Sequence, residues 1–253
     1  MKASVIGRLL EEISWTGSQV TAYRGGGRGF ENVLTAEVFQ ALDFLPRTSF
    51  LGEVIDCAHG SAAGRAILRQ EIENAEFLLL PGEMHLTGEN IPKVEVQPDV
   101  ILSTANVYCL VEAKRLRQSS FQWLQLAREF LMAHSSAEGR IPLLLLVLNA
   151  PPPVHVQGHG RQSLAAAIIA GLPEVISLPG TTSTWYEKID QTVTWITWHE
   201  IADVVRRQLQ IIDGADSSVA ATIKRLAESI TGSIEWHDHV RLPSALSESR
   251  KSE

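Results

Sequence analysis

The sequence predicts a mixed α/β fold, a central mixed β-sheet with flanking helices. Three observations lead to it. Residues 30 to 148 run helix, three strands, helix, strand, an order that lays helices on the faces of a sheet. The polar connector Ser103-Thr104-Ala105-Asn106 joins two β-rich runs and predicts an antiparallel hairpin within that sheet. With 253 residues, 45% hydrophobic and 20% charged, the chain is long and apolar enough to bury a full core.

Taken in order, residues 4 to 14 read as a short opening helix. Residues 15 to 29 form an irregular lead-in containing Tyr23-Arg24-Gly25-Gly26-Gly27-Arg28-Gly29. Phe30, Val33, Leu34, Val38, Ala41, Leu42 and Leu45 recur at helical spacing and stop before Pro46, which predicts an amphipathic helix. Residues 64 to 74 are expected to be helical, and Ala75 to Leu80 a strand ending at Pro81-Gly82. The paired runs Val94 to Leu102 and Val107 to Lys114 follow. Next come a helix at 120 to 133, capped by Ser119 and Ser120, and an apolar strand at 141 to 148. The second half predicts a helix at 162 to 170, strands near 175 to 178 and 192 to 198, and helices at 199 to 212 and 217 to 230.

Pro151 to Pro153 is too short for a flexible tether, so residues 1 to 243 are expected to form a single domain. Its core spans about 30 to 150, with a helical and strand extension over 160 to 243 and a disordered Ser- and Glu-rich tail from 244.

Composition narrows the function. No run of eighteen uncharged apolar residues exists and the N-terminus lacks a secretory leader, so a cytoplasmic protein that does not enter membranes is expected. Two cysteines make no disulfide framework, and Cys109 in its apolar run reads as a buried thiol. A net charge of −7 argues against a broad basic surface for nucleic acid, though metal-binding carboxylates also add negative charge.

The candidate chemistry lies on the hairpin. Glu112 and Lys114 are two positions apart, so in an extended strand both side chains leave one face while Ala113 points the other way. They end the apolar run Val107 to Val111, where a charge is costly unless paired or bound to metal. Asp99 on the other strand supplies a second carboxylate. Two carboxylates from neighbouring strands can converge on a divalent cation, and an adjacent lysine can orient water and stabilise charge on phosphorus.

Pro98-Asp99, twelve intervening residues, and Glu112-Ala113-Lys114 resemble the signature of the PD-(D/E)xK nuclease superfamily. Glu37 agrees with the acid that many members carry on the helix before the sheet, and Gln125 with the glutamine on the helix after the lysine. The resemblance covers about residues 30 to 150 and implies a restriction-endonuclease-like αβββαβ core. It also implies a Mg2+- or Mn2+-dependent deoxyribonuclease, set in prokaryotic defence, restriction or repair. Asp99 and Glu112 would be metal ligands, with the Ala113 carbonyl a third. Lys114 would be the catalytic lysine, Glu37 an outer ligand with Glu31 as competitor, and Gln125 an orienting residue with Gln122 as competitor.

Arg24 and Arg28, with the glycines between them, are expected to hold a substrate phosphate. The expected partner is nucleic acid, DNA ahead of RNA, with a homo-oligomer or a partner subunit as further options. The alternative is a catalytically inactive nuclease-fold subunit serving nucleic-acid binding or assembly. His155/His159 and His237/His239 lack a third ligand for zinc and read as a polar loop and an exposed C-terminal turn. Trp185, Trp195 and Trp198 read as packing residues rather than base-stacking ones.

Overall fold

Strand Val107–Ala113 is buried along its whole length, on both faces, and the layout of the molecule follows from that. A strand apolar on both faces needs helices above and below it. In the computed structural model, which describes residues 28–88, 91–116, 120–176, 182–212 and 218–239, it has them. The elements are α1 (Arg28–Phe44), α2 (Leu51–Cys57), β1 (His59–Gly60), α3 (Ala62–Glu71), β2 (Glu76–Leu79), β3 (Met84–Gly88), β4 (Ile91–Val96), β5 (Val100–Ser103) and β6 (Val107–Ala113). They continue with α4 (Gln125–Ser136), β7 (Ile141–Leu148), β8 (Val154–Val156), β9 (Gly160–Gln162), α5 (Leu164–Val175), α6 (Thr182–Thr192), β10 (Val193–Thr197), α7 (Trp198–Ile212) and α8 (Ser218–His239).

A mixed six-stranded open sheet runs β1-β10-β7-β6-β5-β2. The central pairs β10·β7 and β7·β6 are parallel; β1·β10, β6·β5 and β5·β2 are antiparallel. Alternation along the strands divides the core. Cys109, Val111, Ala113, Leu143, Leu145 and Val147 pack with residues of α1, α2, α7 and α8. Tyr108, Leu110, Leu144, Leu146 and Leu148 pack with α4 and α5. Val94 and Val96 of the separate β3–β4 ribbon join the second cluster. Cys109 is fully buried, which pushes its thiol up to about 12. No helix among the described residues is long and apolar enough to cross a membrane.

The expected hairpin is present, with Val100 opposite Val111 and Ser103 opposite Tyr108. Several expectations are corrected. The run 94 to 102 is not one strand: it breaks at Gln97–Asp99, and β4 and β5 belong to different sheets. Pro98 explains the break, because it has no N–H to give a ladder. The helix expected from Ser120 begins at Gln125 without a side-chain cap. Phe121 is instead bridged to Val156, with its N–H donated to His155 and its carbonyl accepting from Gln157.

Val175 ends α5 rather than opening a strand, because Leu164, Ile168, Leu172 and Val175 continue the helical spacing. α8 runs nine residues past the expected end, so His237 is buried in a helix rather than exposed in a turn. The short helix α2, the β3–β4 ribbon and α6 were not anticipated. The opening helix at 4 to 14, Arg24 with the glycines beside it, the end of the expected 175 to 178 strand and the tail from 244 lie outside the described residues.

The C-terminal third completes the same sheet. β10 pairs with β7, and the Trp198 ring that follows it is fully buried, its Nε1–H donating to the Lys114 carbonyl at 2.6 Å. Trp198→Phe leaves that buried carbonyl without its donor and should cost about 1–3 kcal/mol. In urea titration the midpoint should fall at unchanged m-value; an unchanged midpoint would show that the bond contributes nothing.

Candidate active site

Asp99, Glu112 and Lys114 come together at the end of β6, with exposures of 7%, 7% and 6%. The backbone sets them there. Lys114 N–H donates to the Val147 carbonyl at 2.7 Å, which carries the β6·β7 ladder one residue beyond the strand and holds Lys114 in line. Asp99 N–H donates to Val111, the residue already opposite Val100, so the β5·β6 ladder is kinked here as at a bulge. The Asp99 side chain fills the gap that the kink leaves. Its Oδ2 accepts the Ala113 N–H at 2.7 Å, tying the carboxylate to the segment that carries Glu112 and Lys114.

Glu112 Oε1 accepts two bonds at 2.6 Å, one from Lys114 Nζ and one from Gln125 Nε2. Gln125 is the first residue of α4, so the positive end of that helix faces the Glu112 carboxylate. Gln125 Oε1 accepts the Gln122 backbone N–H at 3.3 Å, which fixes which way its amide points. Gln125, rather than its competitor Gln122, therefore makes the side-chain contact. Leu124, just before the helix, sits at φ 71°, a left-handed backbone that costs a branched L-residue energy and persists where packing holds it. Lys114 Nζ also lies 5.0 Å from the centre of the Phe121 ring, a cation–π contact in a desolvated place.

A residue that the sequence reading missed belongs to the same cluster. Glu129 stands one helical turn after Gln125, is 4% exposed, and its Oε2 is buried without a hydrogen-bond partner. Burial pushes its carboxyl well above the usual range, and the nearby charge of Glu112 pushes it further the same way. The signal was available: Glu129 interrupts the apolar stripe of Leu126, Phe130 and Ala133, as Glu37 interrupts that of α1.

Glu37 does not join this cluster. Its side chain is 47% exposed on α1, and its Oε2 lies 3.4 Å from Nε2 of His237 on α8. Arg28 is the first residue of α1, while its side chain and that of Glu31 lie outside the described set. His155 and His159 sit on the β8–β9 hairpin and are exposed.

Asp99 and Glu112 carry oxygens of the kind a hard divalent cation takes. Asp99, Glu112 and Glu129 against one lysine leave a buried excess of acid, which a cation or a proton must offset. Among the described residues no three His, Cys, Asp or Glu side chains form a complete ligand set. An ion held by Asp99 and Glu112 would therefore draw on the Ala113 carbonyl and water, as Mg2+ does when one or two carboxylates bind it. No protein-family model, curated protein or solved structure matches this chain.

The raised carboxyl of Glu129 has a consequence for stability. A group held protonated in the folded state favours folding at low pH, and that contribution is lost as pH climbs through the folded value. Glu129→Gln keeps the shape and removes the titration. The variant should match wild type near pH 4 and melt at a higher temperature at pH 7. Equal melting temperatures at both pH values would show that the Glu129 carboxyl costs nothing in its buried place.

Proposed function

We propose that this protein is a metal-dependent nuclease that hydrolyses DNA phosphodiester bonds at the end of β6. The observation that carries the reading is the buried Lys114–Glu112–Gln125 network, with Asp99 tied to the same backbone. The element order α1-β2-β5-β6-α4-β7 supports a restriction-endonuclease-like core, since it repeats the αβββαβ sequence with α2, β1 and α3 inserted after α1 and the β3–β4 ribbon after β2.

Bound Mg2+ or Mn2+ supplies Lewis acidity toward the phosphoryl oxygen and toward a water. Asp99 and Glu112 hold the cation. Lys114, an ammonium confined between Glu112 and the Phe121 ring, orients the attacking water and offsets the charge that gathers on phosphorus. Gln125 keeps Glu112 from swinging away by binding the same oxygen as Lys114. The buried floor around these groups excludes bulk water, so each charge acts at lower screening than on a surface.

The test is cleavage of supercoiled plasmid and of a single-stranded oligonucleotide with Mg2+, Mn2+ or EDTA. Wild type should cut with cation and stop in EDTA. Glu112→Ala and Lys114→Ala should each lower the rate by about a hundredfold or more, and Glu112→Ala should also weaken Mn2+ binding in calorimetry. Equal cutting by all three proteins would exclude this site. Cutting by none, with metal binding intact, would favour a nuclease-fold subunit without activity.

A further inference from the structure

The β8–β9 hairpin stands outside the main sheet, yet one residue fixes it beside the site. Phe121, whose ring lies against Lys114 Nζ, bonds the hairpin through its own N–H and carbonyl, both at 2.9 Å. Val154 and Val156 turn into the core, which leaves the alternate residue His155 and its register partner Arg161 exposed. The tip, Gln157 to Gly160, is exposed throughout. At that tip the His159 ring stacks on Trp123, centroids 3.7 Å apart and planes 18° apart. Trp123 stands two residues before Gln125, and its indole N–H reaches Glu174 at 3.4 Å.

The hairpin differs in charge from the molecule. The chain carries net charge −7, but residues 150 to 162 contain no Asp or Glu and do contain His155, His159 and Arg161, while Glu174 meets the stack from the Trp123 side. Arg161 is anchored to the hairpin by bonds to the Pro153 carbonyl at 3.0 and 3.3 Å and is exposed. An acid-free hairpin whose exposed His159 ring caps a half-buried tryptophan, fixed beside a buried acid cluster, is suited to a polyanion with flat rings.

We propose that the β8–β9 hairpin and Trp123 form the lip on which a single-stranded stretch of nucleic acid is held, one base joining the His159–Trp123 stack and its phosphates facing Arg161. The substrate class rests on the nuclease reading above. A base inside a duplex has both faces covered and cannot extend such a stack, whereas an unpaired base can. Duplex binding without stacking draws on many phosphate contacts, and this hairpin offers one arginine. Stacking supplies the affinity that a −7 chain cannot draw from charge.

The test measures binding in EDTA, so that it does not depend on cleavage. Full-length wild type, His159→Ala and Arg161→Ala are titrated into fluorescein-labelled oligothymidylate, an abasic strand of equal length and a duplex, with anisotropy as readout. Wild type should bind oligothymidylate at least about tenfold more tightly than either other probe. His159→Ala should lose about tenfold on oligothymidylate and nothing on the abasic strand. Arg161→Ala should weaken both single strands and reduce the salt slope by about 0.7.

Both side chains are exposed, and thermal melts of the variants should match wild type. Absence of wild-type binding, equal wild-type affinity for duplex, or unchanged affinity in both variants overturns the proposal. If the variants bind normally while wild type still cuts DNA, the hairpin reading alone fails. If no protein cuts DNA while His159→Ala still loses binding, the nuclease reading alone fails.

Discussion

A carboxylate buried at the end of the central strand, Glu112, is the constraint around which the neighbouring structure is arranged. An ionised group so little exposed is tolerated only where charge and hydrogen bonds replace the water it has lost. Three elements supply them. The chain just past β6 returns Lys114 to the same face, α4 begins with Gln125 and its positive end toward the carboxylate, and the hairpin root brings Phe121 under the ammonium. Lys114 itself is fixed by two bonds at its backbone, from its N–H to Val147 and from Trp198 to its carbonyl. Trp198 lies 84 residues downstream, so the site depends on the last strand and helices as much as on the hairpin.

The two faces of the sheet divide the work. On one, the side chains of Cys109, Val111 and Ala113 belong to a large apolar cluster, and that side supplies cohesion. On the other, Tyr108 and Leu110 are followed by Glu112 in the same alternation, so polar chemistry begins where the apolar packing of α4 ends. Glu129 lies at that boundary. It faces into the site one turn after Gln125, and burial, followed by the nearby charge of Glu112, pushes its carboxyl well above the usual range.

Much of this was legible in the residues. The polar connector Ser103 to Asn106 pointed to the β5–β6 hairpin, and period-two alternation placed Glu112 and Lys114 on one face; helical spacing marked α1, and α3, α5, α7 and most of α8 were also expected. Sequence failed where long-range contacts overrule local preference. Ser119 and Ser120 look like a helix cap, but Phe121 is claimed by a strand 35 residues away, and no local pattern encodes that bridge. Glu37 and Glu129 carried the same signal, an acid in an apolar stripe. Only packing separates them: α1 leaves Glu37 half-exposed toward His237, while α4 presses Glu129 against Glu112 and Lys114. Pro98 was noticed as part of a motif, yet its physical effect is to end one strand and free Asp99 to bond the Ala113 N–H through its side chain.

The charge balance also orders events on the proposed reading. A phosphodiester approaching Asp99 and Glu112 meets two carboxylates that a single lysine does not neutralise, and in a poorly screened site that repulsion exceeds what a surface pair would exert. The cation must therefore be in place before the scissile phosphate can enter. Burial and the neighbouring Glu112 raise the Glu129 carboxyl, which disfavours a third ionised carboxylate in the same space. The same residues that make the site costly to fold thus favour a fixed sequence at the site itself, cation first and scissile phosphate second, whereas a strand held on the β8–β9 hairpin alone needs no cation.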